Sequence, residues 1–184
     1  CLEPDAFIAQ PKRALAFEHK DVLLLQHVEM EGAGLLAGRQ YLDRDADMLI
    51  TGKRHPFELA YEAGFDDEGV IRGIRLTMAS NCGRSVDLSD AINGRAMFHA
   101  DNCYYLSDVK IVSHRCKTHQ PSHTAFRGFG GPQGMILIES VMDDIARALG
   151  KDPLEVRRAN FYAEAGRNVT PYGMTVEDNI APAL

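Results

Sequence analysis

FELAYEAGFDDEGVIRGIRLTMAS, residues 57–80, is the stretch that decides the fold. Phe57, Leu59, Tyr61 and Phe65 alternate with Glu58, Glu62 and Gly64, the period of two that sends apolar side chains to one face of a half-buried strand. Asp66-Asp67-Glu68-Gly69 reads as a turn in which the glycine can take a positive φ. Val70, Ile74, Leu76 and Met78 then resume the alternation. Two such runs around so short a turn predict an antiparallel hairpin over 57–80.

Downstream, Asp87 followed by Asp90 offers a helix start with acidic groups near the positive end of the dipole, and a helix over about 88–100 follows. Its stripe Leu88, Ile92, Arg95, His99 places a guanidinium on the apolar side, against a competing face of Ala91 and Phe98. Tyr104 to Val112 has strand character. Pro132 in a first turn, apolar residues at 138, 141, 142, 145 and 149, and Gly150 at the end delimit the clearest helix in the chain. Asp152-Pro153-Leu154-Glu155 opens another, with Asp152 as cap, Pro153 in the first position and Glu155 in the third. Upstream, residues 1–42 are the least legible; they predict a helix over 12–26 and nothing after it. The pattern predicts an α/β (α+β) fold: a mixed, largely antiparallel sheet with helices packed on one face. No Gly-x-Gly-x-x-Gly turn within a βαβ unit is written, which argues against a dinucleotide fold.

The 184 residues carry 20 Lys plus Arg against 26 Asp plus Glu, a net charge of −6 with the signs interspersed, which excludes the clustered positive field of a nucleic-acid protein. The longest apolar runs, Val22 to Leu25 and Met135 to Ile138, fall far short of the ~20 residues of a membrane span. Cys1, Cys82, Cys103 and Cys116 form no Cys-x-x-Cys pair, so reduced thiols in a cytoplasmic protein are expected and a zinc site is not.

Chemistry concentrates in Thr124-Ala125-Phe126-Arg127-Gly128-Phe129-Gly130-Gly131-Pro132-Gln133, directly before the strongest helix. Glycines there allow close backbone approach to a ligand, and a helix start supplies free N–H groups. The competing reading is a connecting loop whose Phe126 and Phe129 fill the core. His119 and His123 are separated by Pro121 and read as a surface loop pair, not metal ligands. Arg115, Lys117 and Arg127 form a candidate anion-attracting cluster, weighed against ordinary solvated charges. No Gly-x-Ser-x-Gly elbow and no motif around Cys103 or Cys116 points to nucleophilic catalysis.

Four runs in order, Asp43 to His55, Asn93 to Asn102, Thr124 to Gln133 and Glu155 to Tyr162, resemble the molybdenum-binding part of xanthine dehydrogenase, over about Asp43 to Ile180. The resemblance implies a molybdenum hydroxylase of purine catabolism. In that chemistry a molybdopterin-bound metal hydroxide attacks an electron-poor purine carbon (xanthine or hypoxanthine to urate) and a hydride passes to the metal centre. It implies that the main-chain N–H of Arg127 faces the molybdenum centre, that Phe126 and Gly128 join Arg127 in holding the cofactor, that Phe129 packs on the purine, and that Arg95 holds the purine's oxygen as the catalytic cation. It further implies residues 43–184 as a partial molybdopterin-binding domain behind an unassigned 1–42 segment, FAD and 2Fe-2S clusters on other domains or subunits, a homo-oligomer, and neither nucleic acid nor membrane as partner.

The family's upstream glycine-rich pterin loop, upstream purine-holding glutamate and distal glutamate base have no counterpart in these residues. The expectation is therefore an excised, deleted or frameshifted piece, inactive alone. The alternatives are a noncatalytic remnant that self-associates, and a small phosphate- or nucleotide-binding module using the Gly-rich loop. The last ranks lowest because no Gly-Lys-Ser/Thr follows the loop.

Overall fold

The hairpin forms as its alternation requires: β1 (Phe57–Phe65) and β2 (Ile71–Gly83) pair antiparallel, Leu59 opposite Met78 and Ala63 opposite Ile74. The computed structural model describes residues 42–163 and 166–177, so the helix expected over 12–26 lies outside them. At the turn Asp66 accepts from the N–H groups of Glu68 and Val70, and Gly69 takes φ +85°. Ile74, Leu76, Met78, Ser80 and Cys82 are buried on one face of β2, while Arg72 and Arg75 are exposed.

The third strand, β3 (Val109–Lys117), joins β2 in parallel, giving a three-stranded mixed sheet in the order β1-β2-β3. The crossover between the parallel strands carries the helix α2 (Ser89–Phe98), a βαβ unit without the dinucleotide glycines. Strand character expected from Tyr104 begins only at Val109. Tyr104 to Leu106 turn instead toward the end of the chain, where Tyr105 N–H donates to Asn160 O and Tyr104 bridges Phe161.

The helix α3 (Gly131–Leu149) has Pro132 in its first turn and ends at Gly150, and its buried residues Ile138, Val141, Met142 and Ile145 are those the 3.6-residue period selects. It is followed by α4 (Pro153–Asn160), whose cap Asp152 accepts from Leu154 N–H. A short helix that the sequence reading lacks, α1 (Arg44–Ile50), is capped by Asp43, which accepts from Ala46 N–H. Residues of α2, α3 and α4 share one core with the inner face of the sheet, through Ile92, Ala96, Leu137, Ile138 and Val156. The expected α/β layering, helices on one face of a mixed sheet, is present.

Two expectations for α2 are corrected. Its N-cap is Leu88, which makes no side-chain cap bond, and Asp87 sits at φ +42° instead of capping. Its buried face is Ser89, Ile92, Asn93 and Ala96, so Arg95 is exposed, not on the apolar side. The cause is the partner helix: a Cβ on Gly130 would stand 2.1 Å from Ile92 O, and one on Gly134 would stand 2.1 Å from Ala96 O. Glycines on α3 and its cap thus admit the backbone of α2 along its small-residue side, and that contact outranks the Leu88–Arg95 stripe.

Candidate cofactor and substrate site

The loop before α3 is held by a segment 70 residues upstream. Thr124 N–H donates to Lys53 O at 3.1 Å, and Lys53 N–H donates to Nδ1 of His123 at 3.4 Å. Arg54 donates from Nη2 to the carbonyl of Arg127 at 2.5 Å and places its guanidinium carbon 4.5 Å from the centre of the Phe126 ring. His55, buried behind them, shares a 2.8 Å hydrogen bond between Nε2 and Ser89 Oγ at the start of α2, and Gln133 donates to His55 O. The strap 52–55 therefore ties the loop to both α2 and α3.

Burial governs the electrostatics here. It pulls the Arg54 guanidinium below its ordinary range, and it lowers both imidazoles, His55 with further help from the facing His123, whose ring centre is 5.7 Å away. Arg54 Nη1, His123 Nε2 and Gln133 Oε1 are buried polar atoms without a hydrogen-bond partner. Such atoms are uncommon and point to a group that completes them.

The loop's own geometry follows. Gly128, Phe129 and Gly130 take φ values of +90°, +48° and +96°, and the turn closes through Phe129 N–H to Phe126 O and Gly131 N–H to Gly128 O. The N–H groups of Arg127 and Gly128 have no acceptor among the described residues, and both residues are exposed. Phe129 is half-buried and packs against the core, so the competing core-filling reading holds in part for its ring. Phe98 is exposed, 56%, edge-on to Tyr172. Arg95 reaches the same end of the α2–α3 contact: its Nε donates to His99 Nε2 at 3.4 Å, and the His99 ring lies 3.4 Å from where a Cβ on Gly131 would stand.

The loop and Arg95 are thus brought to one end of the helix pair. Arg54 and His55 are site residues that the sequence does not single out, while His99 and Gln133 stand in quoted runs with no role assigned to them. Arg54 and His55 lie within the Asp43–His55 run, but nothing local marks which of its residues reach across the fold. His119 is exposed, as expected of a surface loop, while His123 turns inward. Arg127 does not join Arg115 and Lys117, which line a cavity with Arg84. Among the described residues no group of three metal-ligating side chains occurs, and no helix is long and apolar enough to cross a membrane.

A glycine-shaped loop that offers unpaired N–H donors just before a helix, beside an exposed guanidinium, is the candidate site of this chain. The sequence pattern of the family described as molybdopterin cofactor-binding domain matches residues 38–161, and the chain belongs to that family. Within it the chain sides with the molybdenum hydroxylases of xanthine dehydrogenase type. It is 48% identical over 140 residues to a xanthine dehydrogenase of Calliphora vicina, 76% of this chain and 10% of that one, and 48% identical over 136 residues to xanthine dehydrogenase 1 of Arabidopsis thaliana, 74% of this chain and 10% of that one. The aldehyde oxidoreductase of Desulfovibrio gigas superposes with a TM-score of 0.66 at 28% identity, over 72% of this chain and 14% of that one. The chain spans about a tenth of the length of the xanthine dehydrogenases it matches.

Proposed function

We propose that this segment forms part of the cofactor- and substrate-facing wall of an oxidoreductase that hydroxylates purines, with the remaining walls, the FAD and the 2Fe-2S clusters on other domains or subunits. The observation that carries the reading is the exposed pair of unpaired N–H groups at Arg127 and Gly128 beside the orphaned Arg54 Nη1. They fit a ligand rich in acceptor atoms, as molybdopterin is. Arg127 and Gly128 hold it through main-chain N–H, and Phe126, fixed under Arg54, supports the loop from behind. When bound, the molybdenum cofactor supplies the oxidising and oxygen-transferring chemistry.

This chain's side chains do the rest of the local work. Negative charge builds on the heterocycle as its carbon is attacked, and the Arg95 guanidinium offsets that charge more than it stabilises the neutral substrate. The open part of the Phe129 ring orients a flat substrate. Xanthine and hypoxanthine suit a cationic residue at 95 better than an aliphatic aldehyde does. In a complete enzyme carrying this segment, Arg95→Met is expected to lower xanthine turnover by about 10²–10³, the scale of one lost transition-state charge partner, with far less effect on an aromatic aldehyde. Equal losses on both substrates would make Arg95 structural. Purified alone, the 184-residue chain is expected to carry no stoichiometric molybdenum by metal analysis, and about one molybdenum per chain would refute the incomplete-site reading.

A further inference from the structure

The functional reading leaves one cavity unused. It lies at the carboxyl ends of the parallel strands β2 and β3, next to the start of α2, with a volume of about 570 Å³. Arg84, Ser85, Ser89, Asp90, Arg115 and Lys117 contribute to its lining. In a chain of net charge −6, this hollow gathers three cations and one carboxylate. Arg115 pairs with Asp90 at 2.5 Å, whereas Arg84 and Lys117 have no acidic partner among the described residues. With Arg115 balanced by Asp90, Arg84 and Lys117 leave the hollow with excess positive charge, and an anion placed between them offsets their repulsion.

The walls are fixed in advance of any ligand. Arg84 N–H donates to Gln120 O, Thr118 N–H to Gly83 O, and Ser85 N–H to Ser122 Oγ, each at 3.0 Å. A frame already ordered spends little entropy on binding. Open sheets of parallel strands take their ligands in the crevice at the strands' carboxyl ends, which is where this cavity opens. Its volume falls within the ~300–1,000 Å³ of small-molecule sites and is far more than a bare anion needs.

We propose that this cavity binds a small phosphomonoester, its phosphate held by Arg84 and Lys117 and its organic part occupying the remaining volume beside Ser85 and the Arg115–Asp90 pair. The site is separate from the 124–133 loop and does not depend on the cofactor reading. The test is a titration of the 184-residue chain with inorganic phosphate and with glucose 6-phosphate, at ionic strength held constant with sodium chloride, read by amide chemical shifts. Saturable shifts at Arg84, Ser85 and Lys117 are expected with both, the ester binding more tightly. Arg84→Gln with Lys117→Gln is expected to weaken both by at least about tenfold, the scale of one charge-assisted contact. Arg75→Gln, which breaks a pair with Glu62 away from the cavity, leaves them unchanged. Asp90→Asn, removing the one carboxylate, tightens phosphate, a gain that misfolding cannot produce. Shifts that rise linearly and equally with chloride, binding retained in the double variant, or an ester no tighter than free phosphate would each overturn the proposal.

Discussion

Replacing glycine by alanine at two positions of the α2–α3 pair is expected to change stability in opposite directions. Gly134 is buried within α3, and a Cβ there would stand 2.1 Å from Ala96 O and 3.1 Å from His99 C. Both are backbone atoms and cannot rotate aside, so α2 must retreat by roughly 1.3 Å to restore an ordinary contact. The retreat loosens Ile92 and Ala96 from the core they share with Leu137 and Ile138. Overpacking of this kind costs about 1–3 kcal/mol, and a contact with main chain belongs at the upper end. Alanine's better helix propensity returns about 1 kcal/mol. The net expectation for Gly134→Ala is a loss of about 2 kcal/mol, a fall in Tm of about 4–8 °C for a chain of this size. Gly94, inside α2, would have nothing within 4 Å of an added Cβ, so Gly94→Ala keeps only the propensity gain of about 0.5–1 kcal/mol and raises Tm. Thermal unfolding followed by circular dichroism on both variants is the assay. Two shifts of the same sign, or a Gly134→Ala protein as stable as the parent, would refute the claim that glycine sets the helix contact.

Asn160 is fully buried; it accepts from Ile71 N–H and donates to Gly69 O and Val156 O, each at 2.8 Å. Asn160→Ala strands two buried backbone groups of the hairpin turn and is expected to cost about 3 kcal/mol in urea unfolding; a loss under about 1 kcal/mol would show that the turn finds other partners. His55 titrates below its ordinary 6.5 because it is buried and faces His123. Its depressed pKa means that the unfolded chain takes up protons the folded chain refuses, so the stability is full above about 6.5 and declines as pH falls. The Tm difference between the parent and His55→Gln is expected to shrink from pH 7 to pH 5, and a difference independent of pH would contradict the assignment. Arg54→Gln removes the bond to Arg127 O and the contact with Phe126. The loop amides of Phe129 and Gly131, bonded to Phe126 O and Gly128 O, are then expected to exchange hydrogen faster while those of β2 keep their protection, and unchanged exchange at both would remove Arg54 from its anchoring role.

What is legible in the sequence is what is decided by neighbours along the chain. The hairpin announces itself because alternation and turn lie within 57–80, and α3 because its apolar period and terminal Pro132 and Gly150 are all its own. The buried face of α2 is not legible because glycines at 130 and 134 choose it, and a side built of Ser89, Asn93 and Ala96 carries almost no hydrophobic signal. The parallel pairing of β3 escapes for a related reason: Val109 to Lys117 has the same local appearance whichever way its neighbour runs. At the site, the 124–133 loop is visible by composition, but its support is not local. Arg54 reaches Arg127 across 73 positions, and no spacing rule spans that distance.

The residues that carry the family resemblance divide into two kinds of work. Asp43 caps α1 and Asn160 seals the hairpin turn, so these explain themselves as scaffold. The loop does not. Phe129 holds φ +48° between two glycines, a conformation that costs a residue with a side chain roughly 1–2 kcal/mol and that glycine would adopt without strain. Core packing of one side of its ring answers part of that cost, yet the same turn leaves Arg127 and Gly128 exposed with free N–H groups and Arg54 Nη1 unpaired. A loop serving only to connect β3 to α3 has no use for backbone strain beside a buried, unpaired guanidinium nitrogen, since each lowers stability without a local return. Their coincidence fits the proposed cofactor-facing role, and it falls within the residues that match the cofactor-binding family.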